Sequence, residues 1–91
     1  MSTSGFDPDA AFRRSPRVAL RPERFGALVY HFGTRRLSFL KTPQLVEVVT
    51  GLEHHASARA AVEAVVDEAQ RPAYLRALAG LAANGTIEER V

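Results

Sequence analysis

Residues 25–41, FGALVYHFGTRRLSFLK, constrain the fold of this chain more than any other stretch. Two segments rich in aromatic and β-branched residues, 25–32 and 35–41, flank the dipeptide Gly33-Thr34. This pattern is typical of a β-hairpin, and glycine at the first central position favours a two-residue type II′ turn. The chain is therefore expected to build its sheet around one tight hairpin.

The predicted turn also sets which residues face each other across the hairpin. The expected cross-strand pairs are Phe32 with Arg35, Tyr30 with Leu37, and Leu28 with Phe39. Because these side chains share the more aromatic face, we expect that face to be the core face. The opposite face is mixed and is expected to tolerate water; it carries Ala27, Val29, His31, Arg36, Ser38 and Leu40.

The same geometry predicts a free edge on the second hairpin strand. The backbone N–H and C=O groups of Arg36, Ser38 and Leu40 are expected to point away from the first strand. Unless a further strand covers them, they form an unpaired edge that must be either protected or used.

Three helices are predicted after the hairpin. Thr42-Pro43 is suited to begin the first helix, Ser57 the second and Pro72 the third, and Asn84-Gly85 is a typical helix end. The residues predicted to face inward are Leu45, Val48, Val49 and Leu52 on the first helix, Ala61, Val62, Val65 and Val66 on the second, and Tyr74, Leu75, Leu78, Leu81 and Ala82 on the third.

Residues 17–21 alternate between apolar and polar as a half-buried strand does, and they precede the hairpin. The predicted fold is therefore α+β and winged-helix-like, with a three-stranded antiparallel meander followed by three helices, in the order β-β-β-α-α-α. A single domain is predicted over residues 13–91. Residues 1–12 are expected to form a mobile N-terminal arm.

The charge of the chain is divided unevenly. Residues 10–41 hold eight Arg or Lys against Glu23 alone, a net +7, whereas residues 42–91 hold four basic and seven acidic residues, a net −3. A basic sheet half suggests an anionic partner, either a nucleic acid or an acidic peptide. Arginines that only solubilise exposed strands are the alternative explanation.

Several kinds of chemistry find no support in the residues. The chain has no cysteine, which excludes disulfides and cysteine-bound metal clusters and suits a reducing cytoplasm. His54 and His55 are adjacent and would face different ways on a helix or strand, so no metal site is predicted. Nucleophile turns and phosphate-binding glycine loops are missing, so neither catalysis nor a cofactor is expected. No apolar run is long enough for a membrane span, and a soluble cytoplasmic protein is expected.

Two binding functions remain. A small winged-helix-like nucleic-acid-binding regulator would need a basic recognition helix, but the last predicted helix has Arg76 as its only base. The free edge of residues 35–41 could instead accept an extended peptide as an added strand. A stripe of mostly small side chains on the third helix could form the other wall of a groove: Arg76, Ala79, Gly80 and Ala83.

The run FGALVYHFGTRRLSFLKTP, followed by LVEVV, resembles the peptide chaperones of mycofactocin biosynthesis, the MftB type. These are stand-alone relatives of the PqqD-like RiPP recognition elements, and the similarity covers about residues 16–87. It implies a non-catalytic domain that binds the leader of a ribosomally made precursor peptide as an added β-strand. It also implies delivery of that peptide to a radical-SAM maturase. Leaders in this family are acidic, which gives the basic sheet half a partner.

The resemblance places the peptide beside residues 35–41 and one flank of the third helix. The peptide-binding residues predicted on this basis are Arg35, Arg36, Leu37, Ser38, Phe39, Leu40 and Lys41 on the strand, and Tyr74, Leu75, Arg76, Leu78, Ala79 and Ala82 on the helix. The predicted partners are the precursor peptide and the maturase, without a membrane and without nucleic acid. The chain is expected to be a monomer or a dimer paired through the free edge.

Overall fold

The structure is a computed structural model that describes residues 6–90. Within them the elements are β1 (Phe12–Arg14), β2 (Val18–Pro22), β3 (Ala27–His31), β4 (Arg36–Leu40), α1 (Pro43–Gly51), α2 (Ala58–Val65), α3 (Arg71–Ala83) and β5 (Ile87–Glu89). Short 3₁₀ turns precede α2 and α3, at Leu52–His54 and Glu68–Gln70. The predicted α+β class is confirmed, with a three-stranded antiparallel sheet in the order β2-β3-β4 followed by three helices. A second sheet, formed by β1 and β5, was not predicted.

The register of the central hairpin is the predicted one, but its turn is not. Leu28 faces Phe39 and Tyr30 faces Leu37, as expected. The loop, however, takes four residues, 32–35, and the residue with positive φ is Arg35 (φ 62°) rather than Gly33. The prediction of a type II′ turn is therefore wrong. The wider loop is held by the imidazole of His31, whose Nδ1 accepts hydrogen bonds from the N–H groups of Gly33 (3.0 Å) and Thr34 (3.2 Å).

The assignment of the core face is also wrong. Val29 is 1% exposed and Leu40 is fully buried, whereas Leu37 and Phe39 on the opposite face are 63% and 53% exposed. The buried face carries Val18, Ala27, Val29 and Leu40 across three strands, and it packs against the helices. The aromatic face is exposed to solvent because the helices all pack on the other face of the sheet. The composition of the strands does not predict which face the helices cover.

The free edge lies on β4 as predicted, but the outward backbone groups belong to other residues. The Phe32 N–H donates to the Arg17 carbonyl (2.8 Å), so the backbone groups of Phe32 face β2. Backbone N–H and C=O groups alternate in direction along a strand, so those of Val29 point toward β4 and those of its partner Ser38 point toward β3. The backbone groups of Arg36 and Leu40, two residues to either side of Ser38, point the same way. The groups that point away from the sheet are therefore those of Leu37 and Phe39.

The two ends of the described chain are joined by the second sheet. Phe12 pairs with Glu89, and the guanidinium of Arg13 contacts the carboxylate of Glu88 at 2.6 Å. Phe12 is buried in the core, and the backbone of residues 8 and 10 accepts hydrogen bonds from the start of α2. Residues 6–12 are thus packed against the domain, whereas residues 1–5 of the predicted arm lie outside the described residues.

The helix ends follow the sequence signals. The hydroxyl of Thr42 accepts from the Leu45 N–H (3.0 Å) at the start of α1, and Ser57 caps α2 in the same way. Gly85 has φ 85°, and the Thr86 N–H donates to the Leu81 carbonyl (2.9 Å), which forms a Schellman motif after α3. The predicted inward-facing residues that are buried are Leu45, Val48, Val49, Leu52, Ala61, Val62, Val66, Leu78 and Leu81.

Candidate functional site

A groove runs between the open edge of β4 and helix α3. Its main hollow has a volume of about 520 Å³ and is lined by Phe39, Lys41, Thr42, Leu45, Ala73, Tyr74, Ala77, Gly80, Leu81 and Asn84. A smaller hollow of about 120 Å³ shares Asn84 and continues along the strand; it is lined by His31, Arg36, Leu37, Ser38, Asn84 and Thr86. We call the two together the β4–α3 groove.

The helix wall of the groove contains a row of small residues beside Tyr74 and Leu81. Ala73, Ala77 and Gly80 are spaced by four and three residues, which places them on one face of α3, and the C-cap residue Asn84 follows four positions later. A Cβ built on Gly80 would meet no atom within 4 Å. Glycine inside a helix lowers stability relative to alanine, and the packing of the described residues around Gly80 does not require it. The groove is therefore wide enough for another backbone to come close to α3.

The floor of the groove is apolar and fixed by one hydrogen bond. Leu45 and Leu81 are buried beneath it, and both belong to the hydrophobic core. The hydroxyls of Thr42 and Tyr74 lie 2.8 Å apart, which ties the start of α1 to α3. Since Thr42 also caps α1, the position of Tyr74 is linked to the helix that follows β4 directly.

The strand wall supplies unpaired main-chain groups. The N–H and C=O of Leu37 and Phe39 point away from β3, at the spacing of two residues that an incoming strand requires. Side chains of such a strand would alternate between the two faces of the sheet. Half of them would enter the groove beside α3, and half would lie next to Leu37 and Phe39 on the solvent side.

The edge of the groove is basic. Arg35, Arg36 and Lys41 are exposed, and none of them forms an ion pair with an acidic side chain of residues 6–90. No acidic residue of the described chain lines either hollow of the groove. Asp9, in the N-terminal segment, accepts from Arg59 at 2.8 Å, and that hydrogen bond lowers the pKa of Asp9 below its usual value. The groove edge therefore keeps its positive charge unneutralised by the protein.

The histidines and acidic residues do not form a metal centre in the described part of the chain. No group of three or more His, Asp or Glu side chains there could hold a metal ion. His31 caps the hairpin loop through Nδ1, and His54 contacts Glu53 at 3.6 Å. Among residues 6–90, none of the helices has both the length and the apolar content to cross a bilayer.

The strand residues predicted to bind peptide are nearly all at the groove. Phe39 and Lys41 line its main hollow, and Arg36, Leu37 and Ser38 line the smaller one. Arg35 lies at the end of the hairpin loop. Leu40 does not belong to the site, because its side chain is fully buried on the core face.

The helix residues predicted for the site are mostly elsewhere. Tyr74 lines the groove, but Leu78 is fully buried in the core and is out of reach of a peptide. The other predicted helix residues do not line it: Leu75, Arg76, Ala79 and Ala82. The groove-lining residues that were missed are His31, Thr42, Leu45, Ala73, Ala77, Leu81, Asn84 and Thr86. The helical spacing of Ala73, Ala77 and Gly80 is a signal that could have identified the helix face that lines the groove.

Comparison with known proteins gives one consistent result. The sequence profile described as the peptide chaperone MftB family matches residues 11–88, a span that includes both walls of the groove. The protein named Peptide chaperone MftB of Mycolicibacterium smegmatis is 57% identical over 75 residues, covering 80% of this chain and 72% of that protein. The protein of the same name from Mycobacterium tuberculosis is 47% identical over 89 residues, covering 97% of this chain and 82% of that protein. That of Mycobacterium ulcerans is 51% identical over 78 residues, with 85% and 72% covered. No solved structure matches the chain.

Proposed function

The chain belongs to the peptide chaperone MftB family, and from this premise we propose that it binds the leader of the mycofactocin precursor peptide in the β4–α3 groove and delivers it to a radical-SAM maturase. The family name confirms the prediction that the chain is not an enzyme. The observation that carries the proposal is the open main-chain edge of Leu37 and Phe39 beside an apolar groove walled by small residues.

Binding by strand addition uses the backbone for affinity and the groove for selection. Hydrogen bonds from the leader to Leu37 and Phe39 are independent of the leader's side chains. Side chains that point toward α3 enter a hollow lined by Leu45, Tyr74 and Leu81, which favours apolar residues at alternate leader positions. The small residues of α3 let the leader backbone lie close to the helix.

The charge of the groove edge favours an acidic leader. Arg36 and Lys41 line the two hollows, and Arg35 lies at the end of the hairpin loop. Because all three side chains are exposed, their attraction for carboxylates is screened by salt. They are expected to raise the association rate and set the strand direction more than they raise the final affinity.

The experiment that tests this function is a titration of the protein with a fluorescently labelled leader, monitored by anisotropy. Leu37→Pro removes an outward N–H without removing a bond to β3, and an edge strand tolerates it. Losing that hydrogen bond should weaken binding by about 1–2 kcal/mol, which is roughly 5- to 30-fold in Kd. Leu37→Ala is the matched control, since it shortens the same side chain and keeps the N–H.

Proline at the neighbouring position 38 should have a different effect from proline at position 37. Ser38→Pro should instead destabilise the fold, because the Ser38 N–H faces β3. No saturable leader binding by the wild-type protein at tens of micromolar would refute the proposed function. A folded Leu37→Pro protein with wild-type affinity would refute strand addition at this edge.

Nucleic-acid binding gains no support from the helical half. A recognition helix presents several free basic side chains to the major groove. On α3, the guanidinium of Arg71 is occupied by the Val66 carbonyl (2.9 Å), which leaves Arg76. A gel shift with random duplex DNA at physiological salt should show no stable complex.

A further inference from the structure

The solvent face of the three-stranded sheet is covered by large apolar side chains that the fold does not use. We call these residues the outer patch: Phe25, Leu28, Tyr30, Phe32, Leu37 and Phe39. The four large hydrophobic residues that are exposed in the described chain all belong to it, with Phe32 60% and Phe25 43% exposed. Since the core lies on the opposite face, the outer patch contributes little to folding, and it marks an interaction surface.

The outer patch is already ordered without a partner. The rings of Tyr30 and Phe32 meet edge to face with their centroids 5.2 Å apart, and those of Phe25 and Phe39 are 6.0 Å apart. These contacts fix the aromatic side chains on a rigid sheet. Aromatic residues held in this way are favoured as anchors in protein interfaces because little side-chain entropy is lost on binding.

Basic residues stand at both ends of the outer patch. Arg21 lies across from Leu28 on the same face, Arg24 precedes Phe25, and Arg35 marks the opposite end at the hairpin loop. Glu23 is the acidic residue of this region, and it is paired with Arg21 (3.2 Å). A second copy would bring like charges together at the rim, whereas a surface with an acidic rim would be complementary.

A leader bound in the groove would contact the edge residues Leu37 and Phe39 and leave Phe25, Leu28, Tyr30 and Phe32 of the outer patch open. An added strand lies beside β4 in the plane of the sheet, so it widens the solvent face and does not cover it. Resting on the proposed function, we infer that the outer patch docks the enzyme that modifies the bound peptide. That enzyme would present an apolar surface rimmed with carboxylates.

The test uses the full chain, the labelled leader and the purified radical-SAM enzyme that acts on the precursor. The double variant Phe25→Ser/Phe32→Ser changes both ends of the outer patch and leaves β4 intact. It should reduce binding to the enzyme at least tenfold, while leader affinity stays within twofold of wild type. Arg21→Glu/Arg24→Glu should also weaken enzyme binding, and Arg76→Glu, a charge reversal on α3, should not.

Each other outcome overturns the inference. Unchanged enzyme binding by the double variant would mean that the enzyme docks elsewhere. A parallel loss of leader binding in a folded double variant would assign the outer patch to the peptide. Sedimentation that shows a wild-type dimer abolished by the double variant would assign it to a second copy. Leader binding by the wild-type protein tests the proposed function separately from the docking inference. If the proposed function were wrong, the wild-type protein would not bind the leader at all.

Discussion

Gly80 offers the sharpest separation between stability and function in this protein. It lies within α3 and lines the β4–α3 groove, and among residues 6–90 a Cβ added there would meet no atom within 4 Å beyond its chain neighbours and its own helix backbone. Gly80→Ala should therefore stabilise the fold by about 0.5–1 kcal/mol, because alanine lowers the entropy of the unfolded chain without creating a clash. For a domain of this size, that gain corresponds to a rise in Tm of roughly 2–8 °C.

The same methyl group would occupy space that a peptide backbone needs. Gly80→Ala is expected to weaken leader binding by about 1 kcal/mol, roughly fivefold in Kd, and Gly80→Leu by about 1–3 kcal/mol. Gly51 is the matched control. It ends α1, a Cβ there also meets nothing within 4 Å, and it is not a groove residue, so Gly51→Ala should leave binding unchanged.

Thermal unfolding followed by circular dichroism gives the stability of each variant, and anisotropy with the labelled leader gives the Kd. The predicted signature is a higher Tm together with weaker binding for Gly80→Ala, and no change in Kd for Gly51→Ala. If Gly80→Leu bound the leader as tightly as wild type, the leader would not lie against this face of α3. If Gly80→Ala lowered the Tm, the space around Gly80 would not be open in the folded protein.

Two further predictions concern the charge of the edge and the tightest backbone contact. The double variant Arg35→Asn/Lys41→Gln should weaken leader binding and reduce the dependence of its Kd on salt concentration. Asparagine is chosen at position 35 because it tolerates the positive φ found there. An unaltered salt dependence in anisotropy titrations would argue against an electrostatic role. Gly26→Ala should lower the free energy of unfolding by at least about 2 kcal/mol in urea unfolding, because the added Cβ would collide with the Leu40 carbonyl oxygen. A variant that unfolds at the wild-type urea midpoint would show that β4 can shift to make room for the methyl group.

Elements that depend on neighbouring residues could be read from the sequence. The caps at Thr42 and Ser57 and the Asn84-Gly85 stop are local hydrogen-bonding signals, and all three predicted helix ends were found. The hairpin register was also correct although its turn was not. A two-residue loop and a four-residue loop centred on the same positions pair the same strand residues, and the imidazole of His31 accepts hydrogen bonds from the four-residue loop that forms.

Features that depend on distant residues were missed. Strands β1 and β5 are three residues each and too short to show alternation, and they pair across nearly the whole chain. The core face was assigned from aromatic content, but burial follows the position of the helices. Val29 and Leu40 face the helices, so the aromatic residues Tyr30 and Phe39 are left on the other side.

More of the predicted strand residues than of the predicted helix residues line the groove, and the reason is the same. An edge strand follows from topology, since the last strand of a meander has one unpaired side. The helix face that meets this edge depends on the rotation of α3 about its axis, which the buried residues Leu78 and Leu81 set. With those two turned inward, Ala73, Ala77 and Gly80 face the groove, and Arg76 and Ala79 do not line it.

The alternation of a strand links the two proposed surfaces of the protein. A leader paired with Leu37 and Phe39 would place every second side chain in the groove and the others beside those two residues on the solvent face. The groove would then select the leader, and the outer patch would gain an additional row of side chains from it. An enzyme that docks on the outer patch would consequently contact both the chaperone and the leader. It could thereby distinguish the loaded protein from the empty one without any change in the fold of the chaperone.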